Sequence, residues 1–228
     1  MRLLILIFLL FNQYIYGSFE MNENMSQSYS HIIKLEFEKA NIFIENEKLE
    51  NPKNGFIALH ENYIDFLTIF ITEDQNYFKS NEKYKNERLY LIEVNDENSP
   101  YYLYAKAEII LQWAFSRLKF EQYPTAIYEL VKAYKLLEKN QKIFPDFTLN
   151  NKGLGLIHAL LGAVPQDFYW LLDVAGFEGS LTLGISELET VLNDTLFLMY
   201  EGEVLFLLSF LQVKLGHDNL ISQNYLDK

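Results

Sequence analysis

The chain has 228 residues, half of them apolar, with 16 Tyr, 18 Phe, only 10 Gly and 5 Pro, and no Cys; it can bury a sizeable core and lacks the turn residues of an all-β fold. Its 19 basic and 31 acidic residues leave a formal charge of -12 with no Lys/Arg cluster, which excludes the electrostatic footprint of a nucleic-acid binder. The lack of cysteine excludes a disulfide framework, a thiolate nucleophile, a Cys-based zinc site and a lipoprotein anchor.

Residues 1 to 18 have the build of a secretory signal peptide. Arg2 precedes an unbroken apolar run from Leu3 to Phe11, and a polar turn leads to Gly17-Ser18. That run is too short to span a bilayer. The expectation is an exported protein, periplasmic or secreted, with no integral membrane span once the signal is removed and one helical domain over residues 19 to 228. Because Ile15 and Tyr16 stand where a small residue is preferred, an uncleaved anchor is the alternative. Residues 19 to 30 are polar and read as frayed. From His31 to Glu50 an amphipathic helix is expected, with Ile32, Leu35, Phe37, Ala40, Phe43 and Ile44 as its apolar positions. Asn51-Pro52-Lys53-Asn54-Gly55 is a turn by composition, Phe56 to Ile71 a buried helix, and the charged stretch Glu73 to Asn98 a partly exposed one.

Ser99-Pro100 is a helix start, because serine can cap open amides and proline loses nothing at the first helical position. Leu103, Ala107, Ile110, Leu111, Ala114 and Leu118 then share one helical face. Pro124 reopens a helix that places Ala126, Ile127, Leu130, Ala133, Tyr134 and Leu137 together and ends near Phe144-Pro145. These two helices resemble a tetratricopeptide repeat. Its 34-residue unit has small residues at the eighth, twentieth and twenty-seventh places, met here by Ala114, Ala126 and Ala133, with Trp113 and Leu130 at large apolar places. Arg117 stands where an aromatic is usual, and Pro145 closes the unit seven residues late. Ala40 and Pro52 repeat the interval between the twentieth place and the close.

Gly153 to Gly162 carries small residues at 153, 155, 159 and 162, suited to close helix contact. Pro165 to Ala175 reads as a short aromatic helix and Gly176 to Ser180 as a turn. Ser180 can cap a helix from Leu181 to Leu192, and Asp194 one from Thr195 to Leu215. The block with His158, Pro165, Trp170, Gly176-Phe177-Glu178-Gly179 and Gly184 resembles exported bacterial tetratricopeptide proteins, distantly similar to the eukaryotic family of mitochondrial and lipid-droplet inclusion factors. With the hairpin, the resemblance spans residues 30 to 215. It implies an all-α fold and antiparallel helical hairpins stacked as a right-handed α-solenoid, and it offers no catalytic residues to carry over.

No constellation argues for a cofactor or a metal. His60-Glu61 lacks a second histidine one turn on, where Ile64 stands. The four histidines are scattered, and His158 reads as a hydrogen-bonded core residue. Gly153-Leu-Gly has neither the preceding strand nor the lysine of a phosphate loop. Glu187/Glu189 and Glu201/Glu203 are two apart, which turns each pair away from itself on a helix.

The expected function is non-catalytic: binding of a protein or peptide partner in a groove formed by successive first helices. Tyr104, Glu108, Gln112 and Arg117 are candidate groove residues because they lie off the main apolar face. The rival reading is a hydrolase on a helical toroid whose carboxylates converge from different helices. The apolar last helix carries Glu201 and Glu203, which disfavour a place in hydrocarbon. Its outer face calls for cover from further chain, a partner or a second copy.

Overall fold

The computed structural model describes residues 18–161, 179–216 and 225. The signal-like segment to Gly17, the helix expected over Pro165 to Ala175 and most of the turn after it lie outside the described residues. The described residues are helical, with no strand among them.

The stretch expected to fray instead holds a helix, α1 (Glu23–Ile33), capped by the Asn22 side chain on the Met25 amide at 3.1 Å. The reason is tertiary. Glu47 on α2 (Phe37–Glu50) is wholly buried and accepts hydrogen bonds from the side-chain amides of Asn22, Asn24 and Asn54. Burial pushes the Glu47 carboxyl up, but these amides outweigh it and hold the group below its ordinary pKa.

The helix expected from His31 to Glu50 is likewise broken, at Leu35, whose φ is 61°. The Leu35 amide donates to the Ile32 carbonyl and the Glu36 amide to that of His31, both at 2.9 Å. This is a Schellman close with leucine where glycine is usual, so no composition signal marks it.

Downstream, sequence and structure agree closely. Asn54 caps α3 (Gly55–Thr72), Asp74 caps α4 (Gln75–Glu93) and Ser99 caps α5 (Pro100–Lys119). α6 (Tyr123–Ile143) follows a three-residue link with Glu121 at φ 58°. Ala114, Ala126 and Ala133 are wholly buried, and α5 and α6 pack along their lengths. α7 (Asn150–Leu161) pairs with α8 (Leu181–Leu192), capped by Ser180.

The expected last helix is not uniform. A 3₁₀ segment, Thr195–Tyr200, capped by Asp194, departs from helical angles at Phe197. It leads into α9 (Glu201–Leu211) and a wider final turn, Gln212–Gly216. Together Thr195–Leu215 is long and apolar enough to cross a membrane, and less than half of it is buried.

Neighbouring helices pack as pairs: α1 with α2, α3 with α4, α5 with α6 and α7 with α8. The odd-numbered helices also touch in sequence, α1 to α3, α3 to α5, α5 to α7 and α7 to α9. Phe56, Phe78, Tyr104, Ile109 and Trp113 are among the largest side chains buried between them.

Candidate functional site

The odd helices bring together a buried polar cluster around Lys152. Each contributes to it: Tyr29 from α1, Tyr63 from α3, Tyr104 and Glu108 from α5, Lys152 from α7 and Glu203 from α9, with Tyr200 from the turn before α9. The Lys152 ammonium donates to Glu108 Oε2 at 2.9 Å, to Glu203 Oε1 at 2.8 Å and to the Tyr63 hydroxyl at 2.5 Å. Its three protons are therefore all engaged. Tyr63 donates to Glu108 Oε2 (2.9 Å) or to Glu203 Oε1 (3.1 Å). Tyr29 donates to the other Glu203 oxygen at 2.5 Å. The rings of Tyr63, Tyr104 and Tyr200 stand 5.2, 6.0 and 5.9 Å from the ammonium, a cation–π cage.

Burial sets the electrostatics. It works against a charged Lys152, but Glu108 and Glu203 outweigh it, and the ammonium is held above its ordinary pKa. Burial raises the Glu108 carboxyl more than Lys152 beside it lowers it. The phenols of Tyr29, Tyr63, Tyr104 and Tyr200 are pushed well above their usual range, by burial first and with the two carboxylates adding to it. Lys152 and Glu108 are sealed off, at 2% and 4% exposed, while the Glu203 side chain is 15% exposed. Within the cluster the Tyr104 hydroxyl is buried and unpartnered among the described residues.

Two further networks run along α5. Asn62 accepts from Trp113 Nε1 at 2.9 Å and from Arg88 at 3.2 Å, and donates to Gln112 Oε1 at 2.7 Å. Arg88 also pairs with Asp65 at 2.6 Å. Near the end of the helix, Arg117 bonds Glu129 (3.1 Å), Gln122 (2.7 Å) and Glu82 (2.5 Å), and Lys85 closes the network on Glu129.

The four residues expected off the packing face, Tyr104, Glu108, Gln112 and Arg117, are 1, 4, 4 and 6% exposed. That expectation is corrected. α5 is covered on several sides, by α3, α4, α6 and α7, so its polar positions face neighbours and not solvent. Tyr104 and Glu108 enter the Lys152 cluster, Gln112 the Asn62 network and Arg117 the network with α4 and α6. Sequence reasoning missed Lys152 and Tyr63. The available signal was a lysine opening an otherwise apolar helix and an acid, Glu203, on the apolar last helix: two charges on apolar helices that each call for a partner.

The histidines play separate parts. His60 is buried, 3.2 Å from Ser28 Oγ, and burial lowers its pKa to about 3. His158 Nδ1 lies 2.6 Å from Glu187 on α8, and Tyr134 presents its ring to the imidazole. No group of three His, Asp or Glu among the described residues is placed to hold a metal.

A shallow cleft of about 250 Å3 opens where α1 meets the turn before α9, lined by Ser26, Tyr29, Ser30, Ile33, Lys34 and Met199. Tyr29, whose hydroxyl reaches Glu203, links it to the buried cluster. Large apolar side chains also stand exposed on the last segment: Leu196 at 80%, Leu198 at 56%, Phe206 at 60% and Val213 at 46%. In comparisons with known proteins, no family model, no curated protein and no solved structure matches this chain.

Proposed function

We infer that this chain is an exported, non-catalytic scaffold of the cell envelope that binds a protein or peptide partner, built as a tetratricopeptide-like right-handed α-solenoid. Consecutive helix pairs whose first members touch in order support the architecture. The signal-like residues 1 to 18 support export. The observation that carries the binding role is the apolar outer face of the last segment. Phe206 and Val213, two turns apart on the last helix, stay in water, as do Leu196 and Leu198 in the segment before it, while the other apolar residues of α9 are at least partly covered. Burying one such side chain is worth roughly 1.5–3 kcal/mol, and exposed apolar patches of this kind mark interaction surfaces. A charge of -12 repels a second copy, which favours a different partner over self-association. The docking face is thus the outside of the array and not the face of α5.

The test uses the chain from Phe19 onward, wild type and with Phe206→Asp and Val213→Asp. Both are immobilised and exposed to an envelope extract, and both are measured by light scattering. A partner held by the wild type and released by the variant, with melting unchanged, is the expected result. Equal retention by both would remove the docking face.

One observation favours the hydrolase as a second reading: Glu108 and Glu203 reach one point from different helices. Lys152 between them and the burial of Glu108 count against it, because a substrate would have to displace the ammonium. Turnover of a glycoside or peptide substrate that is lost in Glu108→Gln would reverse the preference.

A further inference from the structure

We propose that the cleft between α1 and Met199 binds a small apolar carboxylate, with the apolar end on Tyr29, Ile33 and Met199 and the carboxylate at Ser30 and Lys34. This site is separate from the apolar face of the last segment and does not depend on it.

The size comes first. About 250 Å3 falls below the roughly 300–1,000 Å3 of small-molecule pockets, so the occupant is a fragment the size of one side chain.

The chemistry of the walls is divided along the helix. Ser26, Ser30 and Lys34 follow at intervals of four on α1 and its cap, so two hydroxyls and an ammonium form one polar rail. Lys34 is exposed and forms no ion pair among the described residues. Beside the rail on the same helix Tyr29 and Ile33 form an apolar strip, and Met199 adds an apolar side chain from the segment before α9, where the thioether adapts to irregular shapes.

The floor sets the orientation. The Tyr29 hydroxyl is committed to Glu203, so the phenol presents carbon to the cleft. Beneath it sit two carboxylates against one ammonium. A ligand anion is repelled from that end and attracted to Lys34 at the other, while a ligand cation meets Lys34 as a like charge. An apolar group carrying one carboxylate satisfies both ends. That chemistry belongs equally to a free short-chain carboxylic acid and to the free C-terminus of a peptide ending in an apolar residue.

The experiment is an NMR titration of the chain from Phe19 onward, labelled at backbone amides and Met methyls. The probes are hexanoate, its uncharged counterpart hexanamide, and a pentapeptide ending in leucine with a free or an amidated terminus. Hexanoate or the free peptide is expected to give saturable shifts at the Met199 methyl and the Ser30 and Lys34 amides. The matching uncharged probe should bind at least about five-fold more weakly, and Lys34→Gln should weaken the charged probe by a similar factor. Lys34 is exposed, so the variant keeps the fold, and unchanged shifts elsewhere check this. Preference for the peptide over hexanoate assigns the source to a chain end, and preference for hexanoate assigns it to a free acid; both uphold the site. Equal binding of charged and uncharged probes, no loss in Lys34→Gln, or no shift from any probe up to about 10 mM would overturn it.

Discussion

Gly184 on α8 lies directly against Gly155 on α7. A Cβ on Gly155 would stand 2.7 Å from the Gly184 carbonyl oxygen, and a Cβ on Gly184 would stand 2.7 Å from Ala159 Cβ and closer still to the Gly155 carbonyl. Backbone meets backbone at this crossing, and neither neighbour can rotate away.

Gly184→Ala is therefore expected to force α7 and α8 apart and lower stability by about 1–3 kcal/mol. Gly202→Ala is the control. Its Cβ would meet only Ile33 Cγ2, at an ordinary contact distance of 4.0 Å, and alanine favours a helix over glycine, so stability should be unchanged or rise by up to about 1 kcal/mol. Urea unfolding of both variants checks the pair. Similar losses in the two would mean the α7–α8 contact is not that close.

Lys152→Met leaves the buried Glu108 and the partly buried Glu203 without their common counter-charge. Breaking a buried ion pair from one side costs roughly 3–5 kcal/mol, and a loss of that order in the urea midpoint is expected. Adding Glu108→Gln and Glu203→Gln to Lys152→Met removes every charge from the cluster and should restore a large part of it. A triple variant no more stable than the single one would show that the ammonium's packing in the tyrosine cage matters more than its charge.

His60 makes the fold acid-sensitive. It stays neutral when folded, with its pKa lowered by burial from 6.5 to about 3. Unfolded chains take up a proton below pH 6.5 and folded ones do not, so stability is complete above that value and falls as pH drops from 6.5 toward 3. The slope is about 1.4 kcal/mol per pH unit from this one group. His60→Gln lowers stability at pH 7 through packing, yet the gap to wild type should narrow steadily below pH 6. A constant gap down to pH 4 would mean that His60 is protonated inside the fold.

Leu35 holds a left-handed conformation with its side chain half exposed. Relieving it with Leu35→Gly removes a steric cost of roughly 1–2 kcal/mol and adds some chain entropy to the unfolded state. A net gain of about 0.5–1 kcal/mol in thermal or urea unfolding is the expectation. A loss would show that the Leu35 side chain contributes more by its contacts than its backbone costs.

The same leucine shows where reading along the chain stops being enough. Breaks marked by Pro or by a capping Ser or Asp were legible: Ser99, Pro124, Ser180 and Asp194 all stand at the helix starts they announce. The breaks at Leu35 and Phe197 carry no such residue. The helix at Glu23 was hidden for a related reason, because polar Asn22 and Asn24 look solvated until Glu47 arrives from another helix.

Local chemistry decided the helices, since caps, prolines and apolar spacing act within a few residues and leave their mark in order along the chain. Three buried alanines were readable in the same way, because a hairpin brings near neighbours together. The Lys152 cluster was decided only in three dimensions: Tyr63, Glu108 and Glu203 lie 89, 44 and 51 positions from Lys152. Burial of a charge depends on what covers it, and amphipathic periodicity on α5 cannot tell a polar face in water from one sealed by polar partners on four other helices.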